Sequence, residues 1–198
     1  MSGCIDLNTI YLAVSIKKKY MNRKLMIAGV MIPLICLALV SCDTARIYEN
    51  GYLVKVGDEA PDFQIKEVGG KEYRLSDLHG NVVMLQFTAS WCSVCRKEMP
   101  YIEEEIWQEK KDGDLVVIGI DRDEPPDTVS KFKEETGVTY PLALDPGAEI
   151  FGLYAIKNAG VTRNVIIDRE GKIIFLTRLF EMDEFNEMKE VIYRELEK

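Results

Sequence analysis

Three apolar runs of strand length constrain the fold more than anything else in the chain. They are "VVMLQFT" (82–88), "LVVIGI" (115–120) and "VIID" (165–168). Each is too short for a buried helix, and none alternates as a strand with one wet face would, so each predicts a strand covered on both sides. Between them the period becomes helical. Cys95, Met99, Ile102 and Ile106 follow spacings of 4, 3 and 4, which gives one apolar face to a helix over about 93–110, with Pro100 inside it expected to kink it. "PPDTVSKFKEETG" (125–137) opens on prolines, offers Asp127 as a cap, sets Val129 and Phe132 on one face and stops at Gly137. Asp145-Pro146 opens a short helix holding Ile150, Phe151 and Tyr154, and a last helix from about Asp183 aligns Phe185, Met188, Ile192 and Leu196. Two hairpins complete the pattern, one over 63–75 around Gly69-Gly70 and one where "DREG" (168–171) turns the chain into "KIIFLT" (172–177). Doubly covered strands alternating with helices predict an α/β sandwich around a mixed central sheet.

The N-terminus reads as a targeting segment. Met21-Asn-Arg-Lys precedes the 16-residue apolar stretch "LMIAGVMIPLICLALV" (25–40), followed by Ser41-Cys42. A basic region, an apolar region and a small residue at the boundary are the parts of a secretory signal. The alternative is a transmembrane anchor, for which a 16-residue stretch containing Pro33 is short. Residues 1–20 look like neither signal nor domain, and Met21 is the expected start. Residues 42–57 show no sustained period and read as a tether, with the domain proper over 58–198. Residues 1–41 hold five basic residues and Asp6 as their one acid, which leaves 20 Lys+Arg against 32 Asp+Glu, a net of −12, in residues 42–198. So acidic a body argues against nucleic acid as a partner.

Five cysteines sort themselves by place. Cys4 lies in the upstream extension, Cys36 in the apolar stretch and Cys42 at its boundary, so Cys92 and Cys95 are the thiols expected in an exported domain. Outside the cytoplasm a disulfide between them can form and persist. Cys92 follows a buried strand and begins a helix, where free backbone N–H groups and the helix dipole favour a thiolate. Cys95, one turn later on the apolar face, is the more buried sulfur. That asymmetry suits thiol–disulfide exchange, in which an exposed thiolate attacks and a second thiol resolves the mixed disulfide. Trp91 offers an apolar platform beside Cys92 or, more blandly, a piece of core. A structural zinc site needs about four ligands, and beyond the two cysteines only His79, in the turn "DLHGN", is available. A purely structural disulfide would close too small a loop to stabilise much.

"FTASWCSVCRKEMP" (87–100) resembles the active-site segment of thioredoxin-like proteins, specifically the extracytoplasmic TlpA/ResA-type thiol–disulfide oxidoreductases. "VGDEAPDF" (56–63), "LSDLHGNVVMLQFTASWC" (75–92), "YPLALD" (140–145) and "VIIDREGKI" (165–173) extend the resemblance over about 55–198. It implies a thioredoxin-like fold with an N-terminal hairpin and a central insert over about 123–155. Cys92 would be the nucleophile, Cys95 the resolving thiol and Glu98 a carboxyl near the active site, whose plainer reading is an exposed helix carboxylate. "LVSC" (39–42) resembles a bacterial lipobox, which implies lipidation of Cys42 and a domain anchored in the cell envelope, facing the periplasm. The partners implied are disulfide-bearing envelope proteins and an envelope or membrane thiol donor, with no cofactor or metal.

Two positions depart from the family. Gln86 stands where thioredoxins carry a buried aspartate, and Thr162 stands where they carry a cis-proline facing the cysteines. The Thr162 hydroxyl is expected to hydrogen-bond Cys92. Arg163 beside it would support the site with positive potential if its side chain turned inward, and its plainer reading is a side chain pointing to solvent. The alternative functions are a peroxiredoxin-like peroxidase, whose pattern places threonine at position 92 and proline at position 88, and a copper-binding module on the same fold, which would need a histidine after His79.

Overall fold

The computed structural model describes residues 47–198. The expected start, apolar stretch and lipidation site at Cys42 lie outside the described residues. Among those described, no helix is long and apolar enough to cross a membrane.

Five strands form one sheet in the order β5-β4-β3-β6-β7: β3 (Val82–Thr88), β4 (Leu115–Arg122), β5 (Leu142–Asp145), β6 (Arg163–Ile167) and β7 (Ile173–Arg178). The pairs β3–β4 and β4–β5 are parallel, while β6 runs antiparallel to both β3 and β7. The predicted apolar runs are the three central strands, and every residue of β3 is buried. A separate hairpin, β1 (Gln64–Lys66) and β2 (Glu72–Arg74), turns through Gly70, whose φ of 88° needs glycine. This is the thioredoxin-like α/β sandwich that the sequence implied.

Helices α1 (Ser93–Ile102), α2 (Pro126–Thr136) and α4 (Met182–Leu196) cover one face of the sheet. There Met99, Ile102 and Ile106 meet Met84, Val117, Phe132, Phe185, Met188 and Ile192. The other face is closed by the hairpin, by α3 (Phe151–Tyr154) and by residues 48–54, around Val83, Leu85, Phe87 and Ile118.

Several local expectations need correction. Residues 48–54 are part of the domain and not a tether. Tyr52 and Val54 are buried, Leu53 N–H donates to the Tyr154 carbonyl, and Tyr52 bridges to Ala155. Two buried side chains two apart are too short a pattern to register in sequence. The irregularity in the first helix falls after Pro100, as a π-helical turn over Glu103–Trp107 that hands on to a last α turn, Gln108–Lys110. Asp127 does not cap α2, whose N-cap is Pro125 with its carbonyl accepting from Thr128 and Val129. In α4 the buried end residue is Glu195, and Leu196 is only partly covered. The expected central insert contains α2, β5 and α3, so part of it extends the main sheet.

Candidate active site

β3 ends at Thr88 and the chain turns through Ala89-Ser90-Trp91 into α1, which delivers both cysteines to the carboxyl end of the parallel strands. Cys92 is the N-cap of α1, and its Sγ accepts from Cys95 N–H at 3.1 Å. Cys92 and Cys95 are joined as a disulfide. The exposure differs in the expected sense, with Cys92 at 7% and Cys95 at 0%. An incoming group can therefore reach only the Cys92 sulfur.

The loop before β6 faces this pair. Thr162 Oγ1 lies 3.2 Å from Cys92 Sγ and 3.4 Å from Cys95 Sγ. Sulfurs in a disulfide carry no proton, so the hydroxyl is the donor. The bond between Val161 and Thr162 is trans.

Glu98 is no surface carboxylate. It is 1% exposed, and it sits on α1 above the cross-strand pair Gln86 and Asn164. Both face α1, because alternation along β3 and β6 puts Met84 and Ile166 on that side too. Gln86 Nε2 donates to Glu98 Oε2 at 3.1 Å and Asn164 Nδ2 to Glu98 Oε1 at 2.6 Å. The row extends to Tyr140, whose hydroxyl donates to Gln86 Oε1, and to Thr177, whose Oγ1 accepts from Asn164. Burial pushes the Glu98 carboxyl up to about 7, against the pull of the two amides. Such a group gains and loses a proton near neutrality.

Arg163 corrects the expectation of a solvated side chain: it is fully buried. Alternation along β6 turns it to the face opposite Asn164. There its guanidinium stacks 4.4 Å from the Tyr52 ring and donates to the carbonyls of Asn50 and Gly160. The segment that covers it is the one the sequence suggested was a tether. Trp91, by contrast, is 63% exposed, which removes the core-packing reading and leaves an apolar surface beside Cys92. His79 is exposed at the opposite end of β3 from the cysteines. Among the described residues no cluster of His, Cys, Asp and Glu could hold a metal ion.

The AhpC/TSA family model matches residues 56–176, a span that runs from the entry to the hairpin through both cysteines and Thr162 into β7. The chain belongs to the AhpC/TSA family. Within it, the chain is 35% identical over 121 residues to the thiol-disulfide oxidoreductase ResA of Bacillus thuringiensis, covering 61% of this chain and 68% of that one. Among solved structures, a candidate protein disulfide isomerase from Bacteroides thetaiotaomicron is 58% identical. It superposes with a TM-score of 0.73 over 75% of this chain and 94% of its own. A candidate thiol:disulfide interchange protein DsbE from Chlorobium tepidum is 28% identical, with a TM-score of 0.65 over 72% and 99% of the two chains. With the Cys92–Cys95 disulfide in place, these likenesses make this AhpC/TSA protein a thiol–disulfide oxidoreductase. The peroxidase alternative has less behind it. Cys92 fills the position its pattern gives to threonine, and Thr88, where that pattern has proline, is the buried last residue of β3, with its hydroxyl donating to Met99 Sδ.

Sequence reasoning missed several residues of this AhpC/TSA site. Asn164 and Tyr140 had one visible trace, the lone amide Gln86 inside an apolar run, which had to find partners. Ser90, Asp121 and Glu124 left none, because what joins them is proximity between loops at the ends of β3 and β4.

Proposed function

We propose that the protein is a lipid-anchored reductant of protein disulfides in the cell envelope, with Cys92 attacking and Cys95 resolving. The observation that carries this reading is the reach and support of Cys92: of the two cysteines it alone keeps some exposure, and an amide N–H and a hydroxyl already point at its sulfur. In the reduced state those donors would hold a thiolate. The thiolate attacks one sulfur of a substrate disulfide, forming a mixed disulfide and expelling the other substrate sulfur as a thiolate. Cys95, on losing its proton, then attacks Cys92 Sγ, expels the second substrate sulfur and leaves the Cys92–Cys95 disulfide. Two electrons pass from the protein to the substrate, and a thiol donor must return them. Glu98, one helical turn beyond Cys95 and titrating near neutrality, is the group suited to accept the Cys95 proton and pass it to the leaving thiolate.

What supports the reducing direction is the modest support for the thiolate. Among the described residues the hydrogen-bond partners of the Cys92 sulfur are one amide and one hydroxyl, with no cationic side chain. A reduced form so lightly stabilised leaves the disulfide comparatively stable, which corresponds to a low potential. Equilibration with glutathione should give a midpoint below about −220 mV, whereas a midpoint near about −120 mV, typical of a dedicated oxidant, would reverse the direction. The anchor rests on the basic start, the short apolar stretch and "LVSC". Cys42→Ser should leave unprocessed precursor or soluble protein, and a variant that is processed and partitions into membranes like the parent would rule the lipid anchor out.

A further inference from the structure

The turn that carries Cys92 is gripped by acidic groups that the exchange chemistry does not use. Glu124, just beyond β4, accepts from Ser90 N–H at 2.5 Å and from Ser90 Oγ at 2.6 Å. On the other side of the same residue the Ser90 carbonyl accepts from Arg96 Nε at 2.7 Å. Ser90 is thus pinned through its amide, its hydroxyl and its carbonyl, two residues before the attacking sulfur. The chain reaches this position because Asp123 adopts a left-handed φ of 59°, which folds Glu124 back toward the sheet.

Beneath Glu124 lies Asp121, paired with Thr88 across β3 and with Leu144 across β5, and fully buried. With both carboxyls ionised, neither oxygen of Asp121 has a hydrogen-bond partner. Its contact with Glu124 becomes a hydrogen bond only when one of the two carries a proton. Among the described residues, the charged groups that act on Asp121 are acids, Glu124 and Asp145. β5 contributes Asp145, another acid, and β3 contributes the neutral Thr88. Arg122 sends its guanidinium away to the carbonyls of Ala159 and Lys157, and Arg96 of α1 is engaged by the Ser90 carbonyl and Glu135.

We propose that Asp121 keeps a proton and shares it with Glu124, so that the acid pair positions the Ser90-Trp91-Cys92 turn and releases it when that proton is lost. These are positioning residues, acting on the sulfur through Ser90. In the protonated state the Asp121 hydroxyl donates to the Glu124 carboxylate, whose negative charge strengthens the bonds from Ser90. Burial first, and Glu124 second, pushes the Asp121 carboxyl up to about 8. Once the proton passes to solvent, two carboxylates face each other with no cation between them. Glu124, the partly exposed member, then turns to water and lets Ser90 go.

The consequence for catalysis rests on the exchange reading given above, but the device can be tested without it. Trp91 adjoins Ser90 and is exposed, and the chain has one other tryptophan, Trp107. In Trp107→Phe protein held oxidised, neither Cys92 nor Cys95 titrates, and Trp91 emission can be followed from about pH 6 to about pH 9.5. A single transition near pH 8 is expected. Asp121→Asn should abolish it, since a carboxamide donates to Glu124 at every pH. Glu124→Gln, by removing a like charge, should lower the midpoint by about one unit or more. Glu98→Gln should leave it unmoved. A flat parent profile, or an Asp121→Asn variant that keeps the transition, overturns the proposal. Should Asp121→Asn fail to fold, the carboxyl ¹³C shift of Asp121 in the parent decides: a midpoint near 8 supports the pair, and one near the ordinary 3.8 overturns it. Failure of the exchange reading would look different, since it would remove mixed-disulfide formation and leave this transition in place.

Discussion

The hydroxyl of Thr162 touches both sulfurs, and the buried carboxyl of Glu98 sits one turn past Cys95; two predictions belong at this residue scale. Thr162→Val keeps the shape and removes the donor. The Cys92 thiol should become less acidic, and attack on a disulfide at neutral pH should slow roughly two- to tenfold, the worth of one net hydrogen bond. Iodoacetamide alkylation of the reduced protein across pH reads both, and an unchanged profile would remove Thr162 from the mechanism. For Glu98 the sign follows from the raised value. A carboxyl lifted from 4.5 to about 7 stays protonated in the folded state while the unfolded chain has already released its proton. Stability is therefore highest below about pH 4.5 as far as this group goes, and falls as pH rises toward 7. Glu98→Gln should reduce the loss of unfolding free energy between about pH 4.5 and pH 8 by about 3 kcal/mol, measured in denaturant. A variant with the parent's slope would show that Glu98 is not the titrating group. The one trace these partners left in sequence was Gln86, the lone amide in an apolar run, and it was not enough to find them. A buried amide needs polar partners, but Asn164 and Tyr140 come from segments brought alongside it only by the sheet. Arg163 misled for the same reason, because its cover is Tyr52, more than a hundred residues away along the chain.

Among the elements, β4 is held tightly between its neighbours, and Gly119 shows how tightly. A Cβ there would come within 2.3 Å of Leu142 Cδ2, which is itself buried against Tyr140. Gly119→Ala should cost about 1–3 kcal/mol through overpacking. The same alanine should cost much less in a Leu142→Ala background, since removing the isobutyl group vacates the space. Strict additivity of the two changes in a denaturant-unfolding cycle would contradict this packing account. Legibility at this scale followed segment length. The apolar runs of β3, β4 and β6 and the periodic faces of α1, α2 and α4 were plain because each repeats its signal over several residues. β5 is four residues long, and residues 48–54 signal burial through only two side chains, so their places are set by tertiary partners and not by their own pattern. The π turn after Pro100 was equally silent, because a helix that gains one residue per turn keeps its apolar period on either side.

For the whole molecule, the sheet and its two covered faces bring a helix N-terminus, a threonine-bearing loop and an acid-gripped turn to the carboxyl end of the parallel strands, where Cys92 keeps a little exposure and Cys95 has none. The fold could be read from apolar runs and helical periods along the chain, and the cysteine pair from one segment of it. The supporting network could not, because its members are scattered from Tyr52 to Thr177 and meet only once the sheet has formed. The central claim is the division of labour between the two sulfurs, and trapping tests it most directly. Reduced parent, Cys92→Ser and Cys95→Ser proteins are each mixed with a disulfide-bonded peptide and quenched in acid, and the adducts are mapped by mass spectrometry. Cys95→Ser should accumulate one peptide on Cys92 without turnover, Cys92→Ser should form essentially no adduct, and the parent should release reduced peptide while closing its own disulfide. A Cys92→Ser protein that forms an adduct on Cys95 as fast as Cys95→Ser does on Cys92 would contradict the account.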